Sequence, residues 1–168
     1  MDDGLVRAAV SSDAPGIAAV HTQAWREAYA ELLPADYLAG RIITADSWRS
    51  HLEEPGVAVV VAEMHGELVG FAAVGPATPE GGPREGTLAA IYLLAAYWGQ
   101  GLGHRLHEAA VNALGDLGFG AAILWVFSDN ARTIAFYDRH GWVADGATLQ
   151  EVIGGRTMQE SRFRRPIG

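Results

Sequence analysis

The sequence contains no cysteine, which excludes a disulfide scaffold, a cysteine-based zinc site and a cysteine nucleophile together. No apolar run reaches the roughly 20 residues that a membrane-spanning helix needs; the long run over residues 88–98 falls short and ends in glycines. The opening residues, Met1-Asp2-Asp3-Gly4, have neither the basic nor the apolar stretch of a secretory leader. The expectation is a cytoplasmic protein with no membrane partner. Positive charge is also scarce. Lys and Arg number 12 against 20 Asp and Glu, a formal net charge of -8. A nucleic-acid partner is therefore not expected, because a duplex binder must cluster cations against phosphates. An acidic surface suits a cationic substrate such as an amine, and it serves solubility equally well.

With 168 residues, 49% of them apolar and 19% charged, the chain suffices for one globular domain over residues 1–168 with a layered core. Residues 5–10 read as a short strand. Ser12-Asp13-Ala14-Pro15 then marks a helix start, and Ile17, Val20, His21, Ala24 and Tyr29 follow at helical spacing. Pro34 opens a second helix, and Trp48 and Leu52 sit one turn apart in a third. Residues 57–62 and 68–74 form two apolar strands joined at His65-Gly66, a hairpin signal. Residues 76–83, with three prolines and two glycines, read as a loop. A strand at 88–94, a helix at about 102–117, a strand at 121–127 and a helix capped by Asn130 come next. Two antiparallel strands turning at Gly154-Gly155 close the chain. This mixed order predicts an α/β fold whose central sheet is partly antiparallel and partly parallel, flanked by helices.

Between the strand at 88–94 and its helix lies Trp98-Gly99-Gln100-Gly101-Leu102-Gly103-His104. Three glycines let a ligand approach the backbone, and a helix start offers unpaired N–H groups and a partial positive charge. A pyrophosphate fits such a site; a tight turn that needs glycine only for its backbone angles fits the same residues. A Walker A loop is excluded because no lysine follows the glycines. A dinucleotide-binding Rossmann turn, with Asp129 as the ribose acid, is a closer rival, but its spacing is G-x-G-x-x-G and not the G-x-G-x-G found here.

Residues 88–106 resemble the strand and the R/Q-x-x-G-x-G/A loop of the GNAT N-acetyltransferase superfamily. The pattern's glycines fall on Gly101 and Gly103, with Trp98 where Arg or Gln is usual. Asn130-Ala-Arg-Thr-Ile-Ala-Phe-Tyr137-Asp-Arg-His-Gly-Trp142 is similar to the family's N-x-x-A-x-x-F-Y-x-x-x-G-F signature, with the alanine displaced to Ala135 and Trp142 in place of Phe. The ending and the stretch Trp25-Arg-Glu-Ala-Tyr29 also resemble bacterial members, so the likeness spans most of the chain. It implies the GNAT fold and acetyl-CoA as co-substrate. The backbone of Ile91, Tyr92 and Leu93 would pair with the pantetheine arm. Gly99, Gln100, Gly101, Leu102, Gly103 and His104 would cradle the pyrophosphate, and Asn130 would hydrogen-bond the pantetheine or thioester end.

Acetyl transfer to an amine poses a proton problem. An alkylamine of pKa ~10.4 is neutral in only about one molecule in two thousand at pH 7, a deficit of roughly 4–5 kcal/mol. A base must supply the neutral amine, and an acid near the sulfur eases departure of the thiolate. The resemblance makes Tyr137 the acid. The two positions where many members carry a glutamate base hold Thr87 and Trp125 here. Glu85, close to the first, becomes the candidate base, with Glu31 and His21 behind it. Trp25 and Tyr29 are expected to line the acceptor groove, with Trp48 a further candidate. No metal site is expected. The acceptor class is a small-molecule or peptide primary amine, and a homodimer is the default assembly. A catalytically silent acyl-CoA-binding sensor is the alternative from another class.

Overall fold

Hydrophobic alternation builds the sheet first. Along β3 (Glu67–Pro76) the residues from Val69 to Val74 are buried on both faces, and successive side chains point to opposite sides of a strand. Phe71 and Ala73 pack with Val59 and Val61 of β2 (Ala58–Met64) under α1 (Ala14–Ala28) and α3 (Ala45–Leu52). Ala72 and Val74 face the other way, toward Ala110 and Leu114 of α4 (Leu102–Asp116). The result is one sheet between two helical layers. Burying a side chain such as Phe71, wholly enclosed here, contributes about 1.5–3 kcal/mol. The structure is a computed structural model that describes residues 3–77 and 82–168.

The remaining elements are β1 (Leu5–Ala8), α2 (Ala35–Gly40), β4 (Glu85–Leu93), β5 (Ala121–Phe127), α5 (Ala131–Arg139), β6 (Val143–Ile153) and β7 (Arg156–Pro166). The sheet runs β1-β2-β3-β4-β5-β7-β6. Every neighbouring pair is antiparallel except β4 and β5, which are parallel. The expected mixed α/β architecture is therefore the one found.

Several boundaries move for physical reasons. One 3-10 turn (Ser11–Asp13) precedes α1, and the Asp13 carboxylate turns back to accept from Val10 N at 2.8 Å and from both Arg7 amines at 2.7 and 2.9 Å. β3 runs on to Pro76 and β4 begins at Glu85, because Gly75 and Pro76 still pair with Thr87 and Gly86. Residues 78–81, in the middle of the expected loop, lie outside the described residues. Both hairpin turns use left-handed backbone, at His65-Gly66 (φ 52 and 81) and Gly154-Gly155 (φ 59 and 80), as two-residue hairpins require. Among the described residues no helix is long and apolar enough to cross a membrane.

Candidate active site

The one parallel junction is also the one that fails to close. β4 and β5 pair only at Glu85, Gly86 and Thr87 with Ala121, Ala122 and Ile123. Beyond this the strands part. β5 stays paired with β7 as far as Phe127 and Glu160, while β4 stays with β3 as far as Leu93 and Gly70. A bulge at Ala89, where Ala73 faces Ala90 and Val74 faces Leu88, bends β4 as the gap opens. The β5-facing edge of β4 from Leu88 to Leu93 is thereby left without a strand partner, and an amide-bearing chain can pair with it as an added strand would.

Two clefts meet along that edge. The first, about 540 Å³, is lined by Gly99, Gly101, Gly103 and His104 on one side and by Arg132, Thr133, Phe136, Arg139 and His140 of the α5 region on the other. The second, about 410 Å³, is lined by β4, by Trp125 and Phe127 of β5, by Trp25 and Tyr29 of α1, and by Asn130 and Glu160. Ile91, Leu93, Trp98, Arg132, Thr133 and Tyr137 line both, which makes them one continuous groove.

At its glycine end the groove is built for an anion. Gly99 and Gly101 have φ of 75° and 85°, a conformation that favours glycine. Gly103 has an ordinary backbone angle and lines the cleft, where a Cβ would make ordinary contacts with Phe136 at 3.7 Å and Leu93 at 3.9 Å and project into the space a ligand would take. Arg105 N–H is claimed by Gly101 O at 3.2 Å. The preceding N–H groups of the helix start are left to a ligand. Among the described residues, Arg132, Arg139, His104 and His140 line this cleft and no carboxylate does. His140 Nδ1 donates to Phe136 O at 2.7 Å, and its Nε2 lies 2.9 Å from His104 Nδ1.

Trp98, the departure from the family loop, has an evident task. Its Nε1 donates to Leu93 O at 2.8 Å and closes the end of β4, and the Arg132 guanidinium lies over its ring at 3.5 Å. That stack joins the glycine loop to α5. Burial holds the Arg132 guanidinium below its ordinary pKa.

The other end is phenolic. The hydroxyls of Tyr29 and Tyr92 are 3.2 Å apart, Tyr137 is buried, and burial raises the pKa of all three phenols. Tyr137 is held above its ordinary value by burial first and by Tyr29 second, so it remains a proton donor throughout the neutral range. Glu160 is the one carboxylate that lines either cleft among the described residues. Sequence reasoning missed it, because it lies in a polar hairpin strand outside every motif. The visible signal was Met158-x-Glu160, which puts the carboxylate on the same strand face as a buried methionine.

The groove thus brings together Ile91, Tyr92, Leu93, Gly99, Gly101, Gly103, His104, Asn130, Tyr137, Trp25 and Tyr29. Asn130 caps α5 by accepting from Thr133 N at 3.3 Å, which leaves its Nδ2 donors for a ligand. The Gln100 side chain is turned onto Ala96 O at 3.1 Å, and Leu102 packs into the core with Ala62, Val69 and Leu106; both offer backbone only. Glu85 lines neither cleft. Arg164 grips its two carboxylate oxygens at 2.6 and 3.0 Å, at the closed end of the β4–β5 ladder. His21 accepts from Trp48 Nε1 at 3.2 Å and burial lowers its pKa to about 4. Its Nδ1 lone pair is engaged, and Trp48 itself packs in the core under α1. Glu31 and Asp129 are exposed and line neither cleft.

A sheet split at its parallel junction, with a glycine-floored, cation-lined cradle at a helix start beside the split, is the arrangement of an acyltransferase. The chain belongs to the acetyltransferase (GNAT) family, whose model matches residues 19–142. The uncharacterized N-acetyltransferase YuaI of Bacillus subtilis (strain 168) is 36% identical over 137 residues, which cover 80% of this chain and 78% of that one. Among solved structures, YncA from Salmonella typhimurium with its cofactor acetyl-CoA superposes with a TM-score of 0.80 at 20% identity, over 99% of this chain and 95% of that one. PaiA N-acetyltransferase from Thermoplasma acidophilum, in complex with coenzyme A, gives 0.78 at 17% identity over 99% of each chain. The last two likenesses concern the fold.

Proposed function

We propose that this protein transfers the acetyl group of acetyl-CoA to a primary amine by direct attack of the amine nitrogen on the thioester carbonyl. The observation that carries the reading is the open edge of β4, which runs from the glycine cradle to Tyr137. The residues fit the co-substrate. The helix start and His104 meet a diphosphate, the backbone of Ile91, Tyr92 and Leu93 meets the pantetheine amides, and Asn130 Nδ2 donates near the thioester end. Acetyl-CoA supplies an activated acyl group; the chain supplies position and proton transfer. Tyr137 donates a proton to the departing sulfur, a task for which its buried, protonated phenol is suited. Trp25 and Tyr29 wall the acceptor side.

The test is release of free thiol from acetyl-CoA across a panel of primary amines, with mass spectrometry of the products. The chain contains no lysine, so no lysine amine of its own competes as acceptor. Amine-dependent thiol release with a product heavier by one acetyl group supports the reading. Tight acetyl-CoA binding with no turnover on any amine would instead point to a silent acyl-CoA-binding domain.

A further inference from the structure

We infer that Glu160 is the general base of this acetyl transfer, taking a proton from an acceptor that arrives as a primary ammonium ion. The inference rests on the acetyl-transfer reading above and assigns the role for which the sequence offers no motif. Three observations carry it. First, Glu160 is the sole carboxylate lining the groove among the described residues, although the chain has 20 acidic residues. Second, it stands opposite Phe127 in the β5–β7 ladder, at the open end of the split, and shares its cleft with Tyr29, Tyr92 and Tyr137. The two positions where a family glutamate is expected are otherwise used: Thr87 donates to Ile123 O at 3.1 Å, and Trp125 lies under the Arg162 guanidinium. β7 supplies from across the split what β4 and β5 lack.

Third, among the described residues Glu160 has no cation partner. Three of the other carboxylates on the sheet, Glu63, Glu85 and Asp145, are each held by an arginine at 2.6 to 2.7 Å. The charged neighbour of Glu160 is instead Glu151 of β6. A half-buried carboxylate beside a second carboxylate is costly until a cation arrives. An ammonium group answers that cost, and once bound it sits against the group that must deprotonate it. Burial first, then Glu151, holds the Glu160 carboxyl above its ordinary pKa, which brings it nearer the range in which a base works at neutral pH. Glu151 from β6 and Tyr29 from α1 interact with its charge, and Tyr92 from β4 and Tyr137 from α5 line the same cleft.

The step balances without a further reactant. Glu160 takes one proton from the ammonium; the freed nitrogen pair forms a bond to the acetyl carbon, and the carbon–sulfur pair leaves with sulfur. Tyr137 gives that sulfur a proton. Of the two protons that nitrogen sheds, one leaves to solvent through Glu160 and the other balances the one given by Tyr137.

The test compares two acceptor probes at high concentration: ethylamine, which is almost wholly charged at pH 7, and trifluoroethylamine, which is already neutral. In Glu160→Gln, kcat/KM for ethylamine at pH 7 should fall about 10²- to 10³-fold. For trifluoroethylamine it should fall only a few fold, with acetyl-CoA affinity unchanged by calorimetry. Glu151→Gln should shift the acid limb of the pH profile to lower pH, because it removes a like charge, and leave the plateau intact. Equal losses for both amines, or no loss for either, would overturn the assignment. So would wild-type protein that binds acetyl-CoA yet acetylates neither amine. Failure to bind acetyl-CoA at all would defeat the underlying reading instead.

Discussion

His107 ought to make the fold acid-sensitive. Its side chain is fully enclosed on α4, and its Nε2 accepts the indole N–H of Trp142 at 2.8 Å. The ring proton therefore sits on Nδ1, which among the described residues has no hydrogen-bond partner, the Glu108 carboxylate lying 3.9 Å away. Burial, and then the charges of His140, Arg165 and His104, lower its pKa from 6.5 to about 3. A group whose pKa is depressed by folding contributes stability that is complete above its unfolded pKa and is lost as pH falls toward the folded one. The window runs from pH 6.5 down to about 3. At pH ~4.5, some two units below the unfolded value, the cost from His107 alone is about 2.7 kcal/mol. His21, lowered to about 4, adds loss of the same sign. His107→Gln keeps an acceptor for Trp142 but cannot take the proton. Urea unfolding of both proteins at neutral and acid pH isolates the difference. The wild type should lose about 2–3 kcal/mol more than the variant on acidification. An identical acid loss in the two proteins would refute the reasoning, either because His107 is not neutral in the fold or because it is not sequestered from water.

Two further variants separate catalysis from structure. Tyr137→Phe should lower kcat about 10²- to 10³-fold while leaving acetyl-CoA affinity within about twofold; a fully active variant would remove Tyr137 as the acid. Glu85→Gln should cost at most about 1 kcal/mol of stability, since Arg164 is substantially exposed. It should also leave the pH profile of kcat/KM unchanged, and a lost acid limb in Glu85→Gln would return the base to Glu85.

Much of this was legible in the sequence where one segment decides its own structure. β5 spans the expected residues 121–127 because its apolar run is buried on both faces. Asn130 announces α5, and the glycines after β4 mark a helix start that sets backbone angles locally. What could not be read depends on which strands become neighbours. Nothing in the local pattern of β7 says that it inserts between β5 and β6, and only that insertion brings Glu160 into the groove and Arg164 onto Glu85. The register in which β4 and β5 part after three residue pairs is likewise a property of the assembled sheet. Two departures from the family pattern look arbitrary in sequence and become intelligible in space. Trp98 closes β4 and stacks on Arg132, and Trp142 reaches His107 with an indole N–H that a phenylalanine lacks.

The central claim is that the groove along β4 holds acetyl-CoA with its diphosphate on the glycine loop. Calorimetric titration of wild-type protein and Gly103→Leu with acetyl-CoA, with NADH as a control, tests it most directly. The wild type should bind acetyl-CoA and not NADH. Gly103→Leu, whose added side chain would intrude where the cleft lies between Gly103 and Phe136, should lose that binding while unfolding at nearly the wild-type temperature. Undiminished acetyl-CoA affinity in a folded Gly103→Leu protein, or preferential binding of NADH by the wild type, would contradict the account.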